Sequence, residues 1–591
     1  MENLNEERLY KDSHIFKRLL KYAKPYTFNF IIALILIIIP IVIELIIPQI
    51  MGEVVEILGE EVIDFQKIIV MVVSMAAISI VGTISQYFQN IMLQKTGQKI
   101  IYTVREEVFT HIEKLSSNQF NNIPVGKLVT RVTNDTNNLN ELYTNVIISL
   151  IKSFLTLIGV IIMMFITNVE ITLYILITAP IIFGLSMIFR KFSRKAYRDV
   201  RTNVTNVNTF LSENISGMKI TQIFNQEEKK FDEFKEKNNA LRKSSLKEIF
   251  VFGIFRPSIY GVYILTVIML LWIGSTNSLA GGVVTASIIV KFYSYLSSFF
   301  NPLQELADQF NVLQSAFASS EKIFSILDMK PEIVDEPDAI DLIDFKGEIE
   351  FKNVWFSYIE GEWILKDVSF KVLPNQTVAF VGATGSGKTT ILSLIVRNYD
   401  IQKGQILIDG RDIKTYTISS LRRNIGQMLQ DVFLFSGTIL SNIQLKDESI
   451  SIDDVVKASQ YVNADKFIDK LPEKYNEKVR ERGNNFSSGQ RQLISFARTI
   501  VHKPKLMILD EATANIDTET ERLIQDSLEK MMNIGTMLIV AHRLSTIQHA
   551  DNIIVLSKGE IIESGTHQEL LKNKKHYYTL YRLQYEHKVE K

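Results

Sequence analysis

An all-α membrane half of six long helices followed by an α/β phosphate-loop half is the architecture this sequence predicts, on three observations. Residues 1–310 carry six long apolar runs, residues 330–591 read as ordinary soluble sequence, and a glycine-rich loop in the second part sits between a buried strand and an apolar helix. The boundaries expected are 1–325 for the membrane half with its helical extensions, 326–345 for a linker and 346–591 for the second domain. The mean composition hides the split, with 47% hydrophobic and 22% charged residues, close to globular averages. Lys plus Arg (65) equals Asp plus Glu (65), so the strongly basic domain of a nucleic-acid binder is missing and no nucleic-acid partner is expected. Cysteine is absent, which excludes disulfide frameworks, thiolate metal sites and cysteine nucleophiles.

The runs lie near 27–47, 68–93, 146–167, 171–189, 251–273 and 283–304, each long enough for the roughly 20 helical residues that cross a bilayer. The N-terminus is no secretory signal, because a polar, charged segment precedes the first run and no small-residue cleavage site follows it. Orientation follows from basic residues in the loops. The 94–145 segment holds Lys95, Lys99, Arg105, Lys114, Lys127 and Arg131, and 190–250 opens with Arg190, Lys191, Arg194, Lys195, Arg198 and Arg201. The alternate loops are acidic (48–67), three residues long (168–170) or uncharged (274–282). Both basic segments and both termini are therefore expected in the cytoplasm of an integral membrane protein in the cytoplasmic membrane. The helical periodicity of the basic segments predicts that the flanking spans continue as helices beyond the bilayer.

Intramembrane charge is costly and marks candidate sites. Lys152 and Arg256 sit near the cytoplasmic ends and can snorkel. Glu44 and Lys291 fall toward the outer half, where pairing and lining a polar cavity are both open. Aromatic residues (Phe255, Tyr260, Tyr263, Phe292, Tyr293, Tyr295, Phe299) cluster on the last two spans, and either helix packing or an apolar cargo wall accommodates them.

In the second half, Thr377–Val381 runs into Gly382-Ala-Thr384-Gly385-Ser386-Gly387-Lys388-Thr389 and then an apolar helical stretch. This is a phosphate loop with its required strand before and helix after. Glycines let backbone N–H groups curl toward phosphate oxygens, and the helix N-terminus adds a favourable dipole. Lys388 is the residue that reaches the β- and γ-phosphates, and the Thr389 hydroxyl suits Mg²⁺. Thr384, Ser386 and Thr390 complete the expected ATP contacts. Downstream, Lys505–Glu511 reads as a buried strand ending in two acids: Asp510 for Mg²⁺ and Glu511 to polarise an attacking water. Between them, small residues open a helix in Asn485-Phe486-Ser487-Ser488-Gly489-Gln490-Arg491, which again suggests backbone donors offered to phosphate.

That string resembles the signature motif of ATP-binding cassette proteins, and the whole chain resembles an exporter half-transporter of that family. The resemblance implies a dimer in which each signature (here Phe486, Ser487, Ser488, Gly489 and Gln490) closes on the ATP held by the opposite phosphate loop. It implies that Tyr358 stacks on adenine, that Gln430 touches Mg²⁺, and that His542 contacts the γ-phosphate as a second catalytic residue beside Glu511. Glu481 resembles the coupling segment before the signature. Gly126, Arg131 and Asp135 resemble the first coupling loop, and Glu213 and Gly217 the second. The stretch Ala514–Asp517 resembles the loop that crosses the dimer interface.

Two positions depart from the usual Leu-Ser-Gly-Gly-Gln: Phe486 replaces Leu and Ser488 the first Gly. Ser488 adds bulk where backbone approaches phosphate. Such a change beside an intact Glu511 resembles one member of a heterodimeric exporter, so a heterodimer is the first expectation and a homodimer the alternative. The function expected is ATP-driven export of a small hydrophobic or amphipathic substrate, of multidrug type, from membrane lipid. Lipid translocation is the second reading, and an ATP-gated membrane regulator without active transport the third. Import is disfavoured, since the fused six-span chain leaves no region for a substrate-binding domain. No peptidase-sized extension precedes the first span, so leader-peptide processing is not expected.

Overall fold

The structure, a computed structural model, describes residues 10–279, 284–510, 518–540 and 547–585. It divides into two compact units, residues 1–112 with 126–329 and residues 113–125 with 330–591.

Among its described residues the first unit is built of helices, which in hydrocarbon satisfy their backbone hydrogen bonds within one segment. Its principal helices are Asp12–Ala23, Thr27–Leu58, Phe65–Glu113, Ile147–Thr167, Val169–Leu176, Thr178–Ser216, Glu227–Leu279 and Ala286–Leu327. Among the described residues, five stretches are long and apolar enough to cross a membrane. The sixth expected span, 283–304, lies in Ala286–Leu327, where Lys291, Asn301 and several serines dilute the apolar run. The helices run far beyond their apolar parts, as the loop periodicity predicts. Phe65–Glu113 has 49 residues and Glu227–Leu279 has 53, and the latter packs along Thr178–Ser216. Pro40, Pro48, Pro257 and Pro302 all lie inside helices, which membrane helices tolerate when neighbours supply replacement contacts.

Small and polar residues decide how these helices meet. Gln49 donates to the Tyr295 hydroxyl at 2.8 Å, and Tyr295 donates to the Leu45 carbonyl at 3.0 Å. Glu44 and Lys291 make no ion pair with each other among the described residues. The Lys291 stem instead lies across Gly52, where a Cβ would meet Lys291 carbons at 2.2–2.8 Å. Of the aromatic cluster, Phe292, Tyr295 and Phe299 are buried in a core with Ile259 and Leu270, whereas Tyr260 and Tyr293 are exposed. Packing therefore accounts for the first three.

Among the described residues, the second unit carries twelve strands: β1 (Ile349–Ser357), β2 (Trp363–Val372), β3 (Thr377–Gly382), β4 (Lys403–Ile408), β5 (Arg411–Asp412), β6 (Ile425–Met428), β7 (Gly437–Thr438), β8 (Lys478–Val479), β9 (Leu506–Asp510), β10 (Thr536–Val540), β11 (Asn552–Ser557) and β12 (Glu560–Gly565). One sheet is antiparallel in the order β2-β1-β4-β5. The other runs β12-β11-β3-β10-β9-β6 and is parallel except for the edge pair β11–β12. Continuous apolar strands such as β3 and β10 are buried on both faces, as a parallel sheet requires.

Alternation along these strands builds two separate cores. Val378, Phe380, Ile508, Leu538 and Ile554 join one, with Ile391, Leu392 and Ile395 of the helix Lys388–Ile395. Ala379, Val381, Leu509, Ile539 and Ile553 point the other way and join Phe486, Leu493 and Phe496. The helix after the phosphate loop and the helix after the signature therefore cover opposite faces of one sheet.

Candidate nucleotide-binding site

The phosphate loop leaves the carboxyl end of β3, the place where open α/β sheets bind their ligands. Gly385 (φ +81°) and Gly387 (φ +102°) occupy the left-handed region, and Gly387 caps the helix Lys388–Ile395. A Cβ on Gly387 would meet Leu365 Cδ2 at 2.6 Å, while one on Gly385 would meet nothing within 4 Å. The loop is thus pinned at its base and open at its tip.

Lys388 donates to the carbonyls of Gly382 and Ala383, each at 2.9 Å. Burial pulls its pKa below the ordinary lysine value, and the Asp510 carboxylate opposes that shift. The Ser386 hydroxyl is buried, 3% exposed, and has no protein partner among the described residues. A lysine held only by its own loop beside an unpaired buried hydroxyl suits a bound polyphosphate, whose oxygens would satisfy both. Thr384 and Thr389 are exposed at the loop and the first turn of its helix.

Tyr358 follows β1, and its hydroxyl lies 3.1 Å from the Thr390 hydroxyl. Its ring meets Phe356 and Tyr399 edge-on, at 4.9 and 5.1 Å between centroids, yet the residue remains 45% exposed. Burial of the hydroxyl raises its pKa. The structure thus brings Tyr358, the phosphate loop and Asp510 to one end of the domain. Asp510 ends β9, paired through β10 to β3. Glu511 and the stretch 514–517 lie outside the described residues, as does His542.

The signature is built by capping. The Ser487 hydroxyl accepts from the Gln490 N–H at 3.2 Å, and the Ser487 N–H donates to Gln490 Oε1 at 3.0 Å, a reciprocal cap on the helix Ser488–Val501. Phe486 points inward, 6% exposed, its ring 6.4 Å from Phe467. Its side chain anchors the motif to the core and is not offered outward. Gly489 is buried, Ser488 is half-buried on the first turn, and Glu481 is exposed in a short turn. Gln430 is exposed in the loop after β6.

Several residues with no expected site role position these loops. Arg498, on the signature helix, donates to the carbonyls of Phe433 (3.1 Å), in the loop after β6 that carries Gln430, and of Asn442 (2.8 Å), on the helix Ile439–Gln444. Arg491 holds the Phe486 carbonyl at 2.8 Å, and Asn485 holds the Lys478 carbonyl at 2.9 Å. Only the tertiary partners reveal these roles. The segment 113–125, which belongs to this unit, makes similar bonds: Gln119 donates to the Lys330 carbonyl (2.8 Å) and Asn121 to the Tyr399 hydroxyl (3.2 Å).

The other coupling candidates lie in the first unit. Gly126 is exposed on the short helix Val125–Thr130. Arg131 pairs with Asp135 at 2.7 Å, and Asp135 also accepts from the Ser319 hydroxyl at 2.8 Å while only 6% exposed. Those two side chains are thus committed to an internal ion pair. Glu213 is exposed near the end of Thr178–Ser216, and Gly217 caps that helix through a bond to the Glu213 carbonyl at 2.9 Å.

Comparison with known proteins agrees with this architecture. Family models match at residues 30–303, described as ABC transporter transmembrane region, and at 365–514, described as ABC transporter. The chain is 39% identical over 509 residues to a probable multidrug resistance ABC transporter ATP-binding/permease protein, YheH, of Bacillus subtilis (strain 168), covering 84% of this chain and 74% of the relative. It is 33% identical over 575 residues to an ATP-dependent lipid A-core flippase of Syntrophus aciditrophicus (strain SB), covering 97% and 94%. A solved structure of a bacterial Atm1-family ABC exporter with ATP bound matches with a TM-score of 0.80 at 25% identity, over 94% of this chain and 98% of that one. The chain therefore belongs to the ABC transporter family, as an integral-membrane exporter half-transporter that works as a dimer and couples ATP hydrolysis to export.

Proposed function

We propose that this half-transporter exports hydrophobic or amphipathic compounds, of multidrug type, across the cytoplasmic membrane. The observation that carries the nucleotide part of the reading is the placement of the phosphate-loop and signature helices on opposite faces of one sheet. A signature so placed is suited to serve the nucleotide of a second subunit. Gly382, Thr384, Gly385, Ser386, Gly387, Lys388, Thr389 and Thr390 hold the phosphates, and Tyr358 offers its exposed ring to the base. Asp510, Thr389 and Gln430 are the groups that would hold Mg²⁺, which characteristically takes one or two carboxylates and completes its shell with phosphate, water and neutral oxygens. When bound, the ion neutralises charge between the phosphates. Glu511 orients the attacking water, and His542 contacts the γ-phosphate.

Both termini are cytoplasmic in this reading, with six spans between them, and residues 346–591 form the nucleotide domain. Gly126, Glu213, Gly217 and Glu481 transmit nucleotide-driven closure to the spans. The partner is a different half-transporter with an unmodified signature, since Ser488 stands where glycine is usual. Apolar spans and the exposed Tyr260 and Tyr293 support an amphipathic cargo. Lipid translocation is the second reading, favoured by the relative named a lipid A-core flippase.

The test is ATP hydrolysis by the chain in lipid, alone and with a candidate partner, against the Glu511→Gln variant. Turnover that needs Glu511 and rises with added amphipathic compounds is expected. Robust turnover by the lone chain would replace the heterodimer with a homodimer, and ATP consumption insensitive to any compound or lipid would remove the transport assignment.

A further inference from the structure

The N-terminal helix Asp12–Ala23 carries two apolar stripes. Ile15 and Leu19 are buried, and the Tyr143 hydroxyl donates to the Leu19 carbonyl at 2.8 Å. Phe16 and Leu20 are not covered: they are 44% and 48% exposed. With Phe30, Leu34, Ile147 and Ile151 they line a groove of about 520 Å³. Lys17, Lys21 and Lys24 stand along the same groove, spaced at four and three residues so that they share one helical face. None of the three has a carboxylate partner among the described residues, and no acidic residue lines the groove. Arg18, on the other side of the helix, is already committed to Asp328 at 2.6 Å and to the face of Phe324.

The polar end of this groove lies where the amphipathic helix turns into the first membrane helix, which begins at Thr27. From Thr27 to Leu34 the groove follows that helix for about 10 Å, at 1.5 Å per residue. A basic rim at the start of a membrane helix, opening onto an apolar trough that continues along it, matches an anionic head group above an acyl chain. We infer that this groove is a binding site for one anionic phospholipid, its phosphate on Lys17, Lys21 and Lys24 and its acyl chain against Leu20, Phe30, Leu34 and Ile151. Three ammonium groups with no carboxylate partner among the described residues give the preference for negative charge. The apolar lining excludes a free phosphate as the sole occupant, since it would leave the trough uncovered. The groove and its lysines are observed independently of the cargo assignment above.

The test uses the full chain in nanodiscs of equal phosphatidylglycerol and phosphatidylcholine, released into detergent, with retained lipid counted by native mass spectrometry. The wild type is expected to retain phosphatidylglycerol over phosphatidylcholine by about tenfold, a conservative figure for three surface lysines. The variant Lys17→Gln/Lys21→Gln/Lys24→Gln should bring that ratio close to one. Leu20→Trp, an exposed position that tolerates bulk, should fill the trough and release the lipid with the lysines intact. Equal retention of both lipids by the wild type overturns the proposal, and so does a preference that neither variant moves. Because the chain has no cysteine, Leu20→Cys supplies a unique thiol, and efficient disulfide formation between two copies would place a second chain in the groove instead of lipid.

Discussion

The hydroxyls of Tyr358 and Thr390 lie 3.1 Å apart although 32 residues separate them, so the aromatic after β1 is fastened to the helix that closes the phosphate loop. The bond holds one edge of the ring while Phe356 and Tyr399 fix its tilt, and a face remains for the base. Removing only the hydroxyl tests the fastening; removing the ring tests the stack. Tyr358→Phe should weaken ATP binding by a few-fold at most, since a net hydrogen bond contributes about 0.5–1.5 kcal/mol. Tyr358→Ala should weaken it about tenfold or more, because stacking on a base contributes about 1–3 kcal/mol. Equilibrium binding of a fluorescent ATP analogue separates the two.

Gly385 and Gly387 share the left-handed backbone but not its surroundings. Ala at either position meets a conformational penalty of about 1–2 kcal/mol. At 387 the new methyl must also displace Leu365 from 2.6 Å. Gly387→Ala should therefore lower the thermal midpoint of the nucleotide domain more than Gly385→Ala does, and differential scanning calorimetry of the full chain reads the difference. Equal effects would mean that Leu365 yields freely.

Asp135 is nearly enclosed between Arg131 and Ser319. Replacing it with Ala leaves the Arg131 guanidinium partly buried without its counter-charge, a change of the kind that costs about 3–5 kcal/mol when fully buried, and less here because Arg131 retains some exposure. Asp135→Ala should lower the stability of the membrane unit in detergent. Arg131→Met/Asp135→Leu, which removes both charges together, should recover much of that loss. If the single variant uncouples ATP hydrolysis from transport without changing stability, the pair transmits motion and does not simply pack.

His567 lies 2.7 Å from the Tyr577 hydroxyl through Nδ1, and burial lowers its pKa from the ordinary 6.5. The folded state therefore binds its proton less readily than the unfolded chain does. Its contribution to stability is complete above pH 6.5 and declines as the pH falls through that value toward the lower folded pKa. The thermal midpoint of the nucleotide domain should fall between pH 7.5 and 5.5, and His567→Gln should flatten that part of the profile. An unchanged slope in the variant would assign the pH dependence to other groups.

Elements whose signals are local could be read from the residues alone. Apolar runs such as Tyr26–Ile47 mark spans because a bilayer imposes a length, and Gly382–Thr389 marks a phosphate loop because tight backbone curvature demands glycines at set spacing. The sixth span was the faintest, since Lys291, Asn301 and the serines around them weaken the one signal a membrane helix gives. Where side chains find partners distant in the chain depends on the packed fold. Phe486 counts among the signature residues expected to face ATP, yet the core holds its ring, and Lys291, for which the residues alone leave pairing with Glu44 and lining a polar cavity both open, lays its stem across Gly52. Arg498 and Asn442 carry no motif, yet Arg498 through Phe433 and Asn442 through Phe435 join the signature helix to the loop that carries Gln430. Above all, β3 alternates between two cores, with Val378 and Phe380 on one side and Ala379 and Val381 on the other. That alternation puts the phosphate loop and the signature on opposite faces, because strand side chains point alternately to either side while the identity of the helix covering each face depends on how the whole sheet is wound.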